Sequence, residues 1–245
     1  MPVKAKEPTV RARSSKRGPG RPAAHVKGSI SRDDVLRCAL ALCRREPLQN
    51  VSMVRVAAEL SVTPALIHYY MGGRDRLTSG VMNSFYRVLI ERLPGPVTRW
   101  RQDIGVVFVT IYETYIHYGG IVAYVMSHNR FRLFQLVEPG EQDFGSLFFE
   151  RVAGAVRLAG LSAQRTAMYT HLLLQHVLSS AYQQASRQLP EDHQQFLVAR
   201  MKKLSSKATP NTHFVLDSFA TLRGEDAFRA GLEIIEDAIA RETQT

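Results

Sequence analysis

Ser52 to Tyr70 reads SMVRVAAELSVTPALIHYY, a stretch that holds two short helices and a tight turn. In its first half Val56, Ala57 and Leu60 fall at i, i+1 and i+4 on one apolar face, with Val54 flanking and Arg55 and Glu59 pointing outward. In its second half Thr63 is a good N-cap. Pro64 stands where the first helical residue belongs, the one helix position where a missing N–H costs little. Only Ser61 and Val62 remain between the two halves, so the helices must cross steeply, as in a helix-turn-helix whose second helix reads DNA.

The charge of the chain agrees with an anionic partner for this part. The net +10 over 245 residues is concentrated at the front. Residues 1–28 carry eight Lys or Arg against Glu7 alone, residues 29–93 carry nine against six acids, and from Pro94 onward 15 basic residues meet 15 acidic ones. A basic front half joined to a neutral back half points to nucleic acid for the first and a separate task for the second. No apolar run approaches the roughly 18 residues of a membrane span and no apolar h-region follows the N-terminus, so a cytoplasmic protein without membrane contact is expected. Cys38 and Cys43 are the only cysteines and lie on different faces of one predicted helix, which argues against a mutual disulfide. Both read as packing residues, with a redox role for Cys43 as the alternative.

Residues 1–28 lack large apolar side chains and are expected to be a disordered basic arm. Around Arg21, the run Lys16-Arg17-Gly18-Pro19-Gly20-Arg21-Pro22 is either a minor-groove segment resembling an AT-hook or a nonspecific phosphate-binding tail. The first helix is expected from an N-cap at Ser31 to about Glu46, with Val35, Cys38, Ala39 and Leu42 as its core stripe. Another is expected from Arg74 to about Leu93, and Pro94-Gly95-Pro96 then marks a boundary between residues 29–93 and 94–245. Beyond it the period is helical throughout. Helices are placed at roughly 97–117, 121–128, 141–159, 162–188, 191–205 and 225–241, with breaks at Gly119-Gly120, Pro139-Gly140, Gly160, Pro190 and Thr209-Pro210-Asn211. Phe228, Leu232, Ile235 and Ile239 form a stripe in the last of these, flanked by Ala227, Gly231 and Ala238, a pattern suited to packing on another subunit. The fold class is all-α.

This order of parts resembles the TetR (tetracycline-repressor) family of regulators. The resemblance rests on residues 31–93, where the family pattern Leu-Gly-Val-Ser-x-x-x-Leu-Tyr-x-His-Phe is matched in spacing by Leu60-Ser61-Val62-Thr63-Pro64-Ala65-Leu66-Ile67-His68-Tyr69-Tyr70-Met71, followed by Arg74 and Leu77. Ser61 replaces the turn glycine, His68 the tyrosine, Tyr70 the histidine, Met71 the phenylalanine and Arg74 the lysine. The resemblance implies an N-terminal three-helix DNA-binding domain and a C-terminal helical domain for ligand binding and dimerisation. Helices near 162–188 and 225–241 would form a four-helix interface. It further implies phosphate contacts from Ser52, Arg55, Tyr70 and Arg74, and base reading by Thr63, Pro64, Ala65, Leu66, His68 and Tyr69. Tyr69 could equally be domain core, and Ile67 reads as core.

No pair of the back half's histidines has the i, i+4 spacing of a metal site. There is no phosphate loop, nucleophile elbow or Cys-x-x-Cys pair, so neither an enzyme nor a cofactor is expected. Phe108, Tyr112 and Tyr115, with Tyr124, Met126 and Phe131 and then Met168, His171, Gln175 and Tyr182, are candidates to line a mostly apolar ligand pocket, or else are core and interface residues. The expected protein is a homodimeric regulator, a repressor in the first instance, that binds a palindromic double-stranded DNA operator and is released by a small molecule. The alternative is a ligand-independent architectural DNA binder with an oligomerisation domain.

Overall fold

The computed structural model describes residues 30–128 and 135–243. The basic arm with Arg21, and Phe131, lie outside the described residues. Ser31–Thr245 form one compact unit, and every regular element among the described residues is helical.

α1 (Arg32–Leu42) begins at Ser31, whose hydroxyl accepts from the Asp34 amide while Asp34 accepts in return from the Ser31 amide, closing a capping box. The Ser31 hydroxyl and then its amide, both donating to the Asp34 carboxylate, hold that carboxyl below its ordinary range. The helix is shorter than the sequence predicts, because turns at Cys43–Glu46 precede Pro47 and a 3-10 turn at Leu48–Asn50. Its buried face is also wider than the predicted stripe and includes Leu36, Leu40 and Cys43. Burial pushes the Cys43 thiol up to about 12, so it lacks the thiolate that redox chemistry needs and packs as a small apolar group.

α2 (Met53–Leu60) and α3 (Pro64–Met71) follow, then α4 (Arg74–Arg92), which packs on α1, α5 and α7. α5 (Trp100–His117) starts where Asp103 accepts from the Thr98 and Arg99 amides, bonds that depress its pKa. α6 (Gly119–Ser127), α7 (Phe144–Arg157) and α8 (Ala163–Ala185) complete the wall around α5. Tyr118, rather than Gly119-Gly120, makes the break, and both glycines belong to α6. Gly120 is required there because a Cβ would stand 1.9 Å from the Glu46 carbonyl oxygen.

A 3-10 turn at Pro190–His193 leads into α9 (Gln194–Met201), then α10 (Pro210–Ala220) and α11 (Gly224–Thr243). The Thr209-Pro210-Asn211 run is the start of a helix and not only a break, since Pro210 occupies its first turn. In α11 Phe228, Leu232 and Ile239 are buried within the chain, against α8 and α5. The predicted stripe is thus taken up by the monomer's own core. Gly231 lets the His176 imidazole approach, and that ring's Nε2 lies 2.9 Å from the Phe228 carbonyl. Among the described residues no single helix is long and apolar enough to cross a membrane.

Candidate nucleic-acid interface and effector cavity

α2 is capped by Ser52, whose hydroxyl accepts from the Arg55 amide at 3.1 Å. At its other end Ser61 takes the left-handed conformation (φ 55°, ψ 43°), and the Val62 amide returns to the Ala57 carbonyl at 2.9 Å. That turn delivers Thr63 as the N-cap of α3. Ile67 and Met71 are buried where α3 packs on its neighbours α2 and α1. The opposite face is solvent-facing: Thr63, Pro64, Ala65, His68 and Tyr69 are exposed, and Leu66 and Tyr70 are half-buried. Tyr69 is 80% exposed, which rules out its reading as core. Ala65, His68 and Tyr69, at i, i+3 and i+4, share one accessible stripe on a helix about 12 Å long.

The predicted phosphate contacts fare differently from one another. Ser52 stands at the start of α2, where free amide N–H groups and the helix dipole favour an anion. Arg74 is exposed at the start of α4 and donates through Nη2 to the Gln49 carbonyl, tying α4 to the 3-10 turn. Arg55 is paired within the chain: its Nε donates to Glu46 at 3.0 Å and its Nη1 to Glu59 at 2.9 Å, while Arg45 donates to Glu59 at 3.1 Å. These bonds raise the Arg55 pKa and lower that of Glu59. Arg55 therefore ties α2 to the turn that follows α1. The i, i+4 pair with Glu59 is visible in the sequence; the bond to Glu46, from the turn after α1, is not.

The ligand candidates among the described residues do not converge on one cavity. Phe108 and Tyr115 are core. Tyr115 lies 4.9 Å from Phe85, and its hydroxyl shares a hydrogen bond with that of Tyr86, whose ring stacks on Phe148. His171 and Gln175 are exposed and Met168 half-buried, because α8 turns Tyr169, Leu173, Val177 and Ala181 inward, one step around the helix from the predicted face. Tyr112 does line a cavity. Its ring stacks on Phe228 (centroids 3.9 Å apart, planes at 9°), and together they wall a space of about 370 Å³ between α5, α8 and α11. Val109, Ile116 and Gln184 add apolar and amide surface, and Arg223, Arg229, Glu191 and Glu225 supply charge. Arg223 and Gln184 carry no signal in the sequence, and Phe228 is visible there only as a member of the stripe in the last helix.

Polar contacts tie α1, the turn after it and α4 to the later part of the chain. The Gly120 amide donates to the Cys43 carbonyl at 2.8 Å, and beside it Arg44 lies over the Tyr118 ring and donates to its hydroxyl at 3.3 Å. On the other side the segment before α7 is strapped down. Asn83 donates to the Gln142 carbonyl and accepts from the Phe144 amide, Arg32 pairs with Glu141, and Arg76 lies 3.6 Å from Glu138.

No protein-family model and no curated protein matches the sequence. Solved structures do match it in three dimensions. ActR of Streptomyces coelicolor, described as a TetR family protein in its complex with actinorhodin, superposes with a TM-score of 0.70 at 24% identity, covering 89% of this chain and 100% of that one. The fold is that of the TetR regulators. SCO7222, a TetR regulator from Streptomyces coelicolor, gives a TM-score of 0.67 at 15% identity over 87% of this chain and 99% of its own. BioQ of Mycobacterium smegmatis gives 0.58 at 18% identity over 87% and 99%. The TetR fold accounts for both halves of this structure, the exposed α3 stripe at one end and the helical body carrying the Tyr112–Phe228 cavity.

Proposed function

We propose that this chain is a cytoplasmic, homodimeric TetR-family transcriptional regulator, a repressor released from a palindromic operator by a small molecule. The observation that carries the reading is the exposed stripe of Ala65, His68 and Tyr69 on a helix held by α2 and started by a Thr-Pro cap. Such a stripe suits the major groove: Ala65 and Leu66 meet thymine methyls, and His68 reaches a base-edge acceptor. Ser52 and Arg74 set the register on phosphate, with the arm around Arg21 adding salt-dependent affinity. Residues 31–93 form the reading head; the remainder holds effector and partner.

The Tyr112–Phe228 cavity is the effector site in this reading, and it suits a planar aromatic compound bearing polar groups. ActR is solved with actinorhodin and with (S)-DNPA, and BioQ with its double-stranded DNA operator, which supports both halves of the proposal by analogy of fold. Selection of bound sequences from a random duplex pool, followed by footprinting, tests it. Two half-sites related by a twofold axis and about 34–36 Å apart are expected. A footprint without symmetry, unmoved by any aromatic compound, would favour the ligand-independent architectural binder instead.

A further inference from the structure

The α9–α10 hairpin presents an apolar surface that none of the described residues covers. None of the residues of α9 is fully buried, and in α10 only Leu216 and Ala220 are. Phe196 is 69% exposed and Phe214 88%, and Val215, Phe219 and Leu222 are exposed beside them. The same hairpin carries Arg200, Lys202, Lys203 and Lys207, with no acidic residue from 194 to 216. Its roots are fixed, since the Gly224 amide donates to Glu191 at 2.9 Å and a Cβ on Gly224 would meet the Leu189 side chain at 2.4 Å.

A surface of opposite character lies between α5 and α11. There a groove of about 660 Å³ is lined by the apolar residues Gly105, Val106, Val109 and Leu232 and by the carboxylates Glu113, Glu233 and Glu236. The two arginines of the groove are engaged, Arg101 with Asp237 at 2.9 Å and Arg229 with Glu225 at 2.8 Å. Among the described residues neither Glu113 nor Glu233 forms an ion pair, and Glu236 Oε1 is buried with nothing donating to it. Val106 and, next to Glu233, Ile234 are exposed apolar side chains.

We propose that the α9–α10 hairpin is an arm that seats in the α5–α11 groove of a second copy of this chain, its lysines against Glu113, Glu233 and Glu236 and its phenylalanines against the groove's apolar residues. The proposal rests on the homodimer reading and adds to it a contact made by the α9–α10 hairpin. Twofold symmetry makes the contact self-closing: each copy offers one arm and one groove, so two arm–groove pairs form and no surface is left to recruit a third copy. The charges are complementary, and opposite charges facing each other across an interface fix register and suppress wrong partners.

The test is a charge swap in the full chain, read as the dimer dissociation constant by sedimentation equilibrium at low salt. The arm variant Lys202→Glu/Lys203→Glu/Lys207→Glu and the groove variant Glu113→Lys/Glu233→Lys should each weaken the dimer at least about tenfold. Mixing the two variants should recover wild-type affinity, because both arm–groove pairs are again of opposite sign. Singles within threefold of wild type, or a mixture no tighter than the weaker single, overturn the proposal. Weakened DNA binding with an unchanged dimer also overturns it and assigns the hairpin to phosphate. A Lys203→Cys/Glu233→Cys chain, in a Cys38→Ser background, should form a disulfide-linked dimer, and a linkage confined within one chain would refute the contact. A wild-type chain that sediments as a monomer removes the homodimer reading itself, whereas an intact dimer indifferent to the swap removes the arm alone.

Discussion

Gly120→Ala tests how tightly the reading head is joined to the body. The added Cβ would stand 1.9 Å from the Glu46 carbonyl oxygen and 2.7 Å from that of Cys43, where carbon–oxygen contact begins at about 3.3 Å. Both obstacles are backbone, so no side chain can rotate away, and α6 must retreat from the end of α1 by about 1.4 Å. That retreat stretches the Gly120–Cys43 hydrogen bond, 2.8 Å in the native chain. Overpacking costs about 1–3 kcal/mol and a lost backbone hydrogen bond about 1 kcal/mol more, so the variant should be less stable by about 2–4 kcal/mol. For a chain of this size that is a fall in Tm of about 4–16 °C. Calorimetry in parallel with operator titration is the assay. Because the joint also sets the angle of the head, operator affinity should fall even at temperatures where the variant is fully folded. A Tm within a degree of wild type, with unaltered affinity, would show that the approach of α6 to α1 is not the constraint the geometry makes it.

Other outcomes follow from single residues. Ser61→Gly should raise stability by about 0.5–1 kcal/mol in urea unfolding, because Ser61 holds φ 55°, where a Cβ is strained and glycine is not. In gel-shift titrations Arg74→Ala should weaken all sequences alike and reduce the salt slope by about one, whereas His68→Ala should alter which sequence is preferred; the reverse pattern would mean that phosphate and base contacts have been exchanged. The Glu59 carboxyl is held below its ordinary pKa by Arg55 and Arg45. Its stabilisation is therefore complete above the unfolded carboxylate range near pH 4 and is lost as pH falls through the lowered native value. Glu59→Gln should remove that part of the acid transition and leave a smaller difference from wild type at low pH than at pH 7. Arg223→Ala, at an exposed wall of the cavity, should change stability by less than about 0.5 kcal/mol while raising the effector concentration needed to release DNA.

The helix-turn-helix was legible because its signals are local: two caps, a proline at the first helical position and an apolar face that repeats over eight residues. The same local rules located most of the back helices to within a few residues. They failed where one residue type serves two purposes. Pro210 and Gly120 are both breakers by composition, yet one opens α10 and the other sits inside α6, and only the tertiary contact with Glu46 explains why glycine is needed there. The cavity was the least legible part. A helix face is defined by sequence only up to rotation, and α8 has two adjacent faces rich in apolar residues. Tyr169 and Leu173 went inward, and His171 and Gln175, chosen for their chemistry, went outward.

The layout of the cavity also constrains how an effector could act. Tyr112 and Ile116, on its wall, lie on the last turns of α5, and that helix ends at His117. The next residue, Tyr118, carries the Arg44 guanidinium over its ring, and two residues on Gly120 is bonded to Cys43, so the end of α5 and the end of α1 are joined within three residues. A ligand shifts an equilibrium only by its difference in affinity between two states, so the effector must prefer a cavity in which Tyr112 and Ile116 have moved. α5 is a continuous helix of 18 residues, and a displacement at Ile116 cannot be absorbed before Tyr118. The close contact at Gly120 leaves no slack to take it up there either. Under the proposed function, movement of the cavity wall must therefore either break the joint or carry α1 with it. Both outcomes change the separation of the two reading helices in a dimer and weaken operator binding by the same coupling free energy with which the operator opposes the effector.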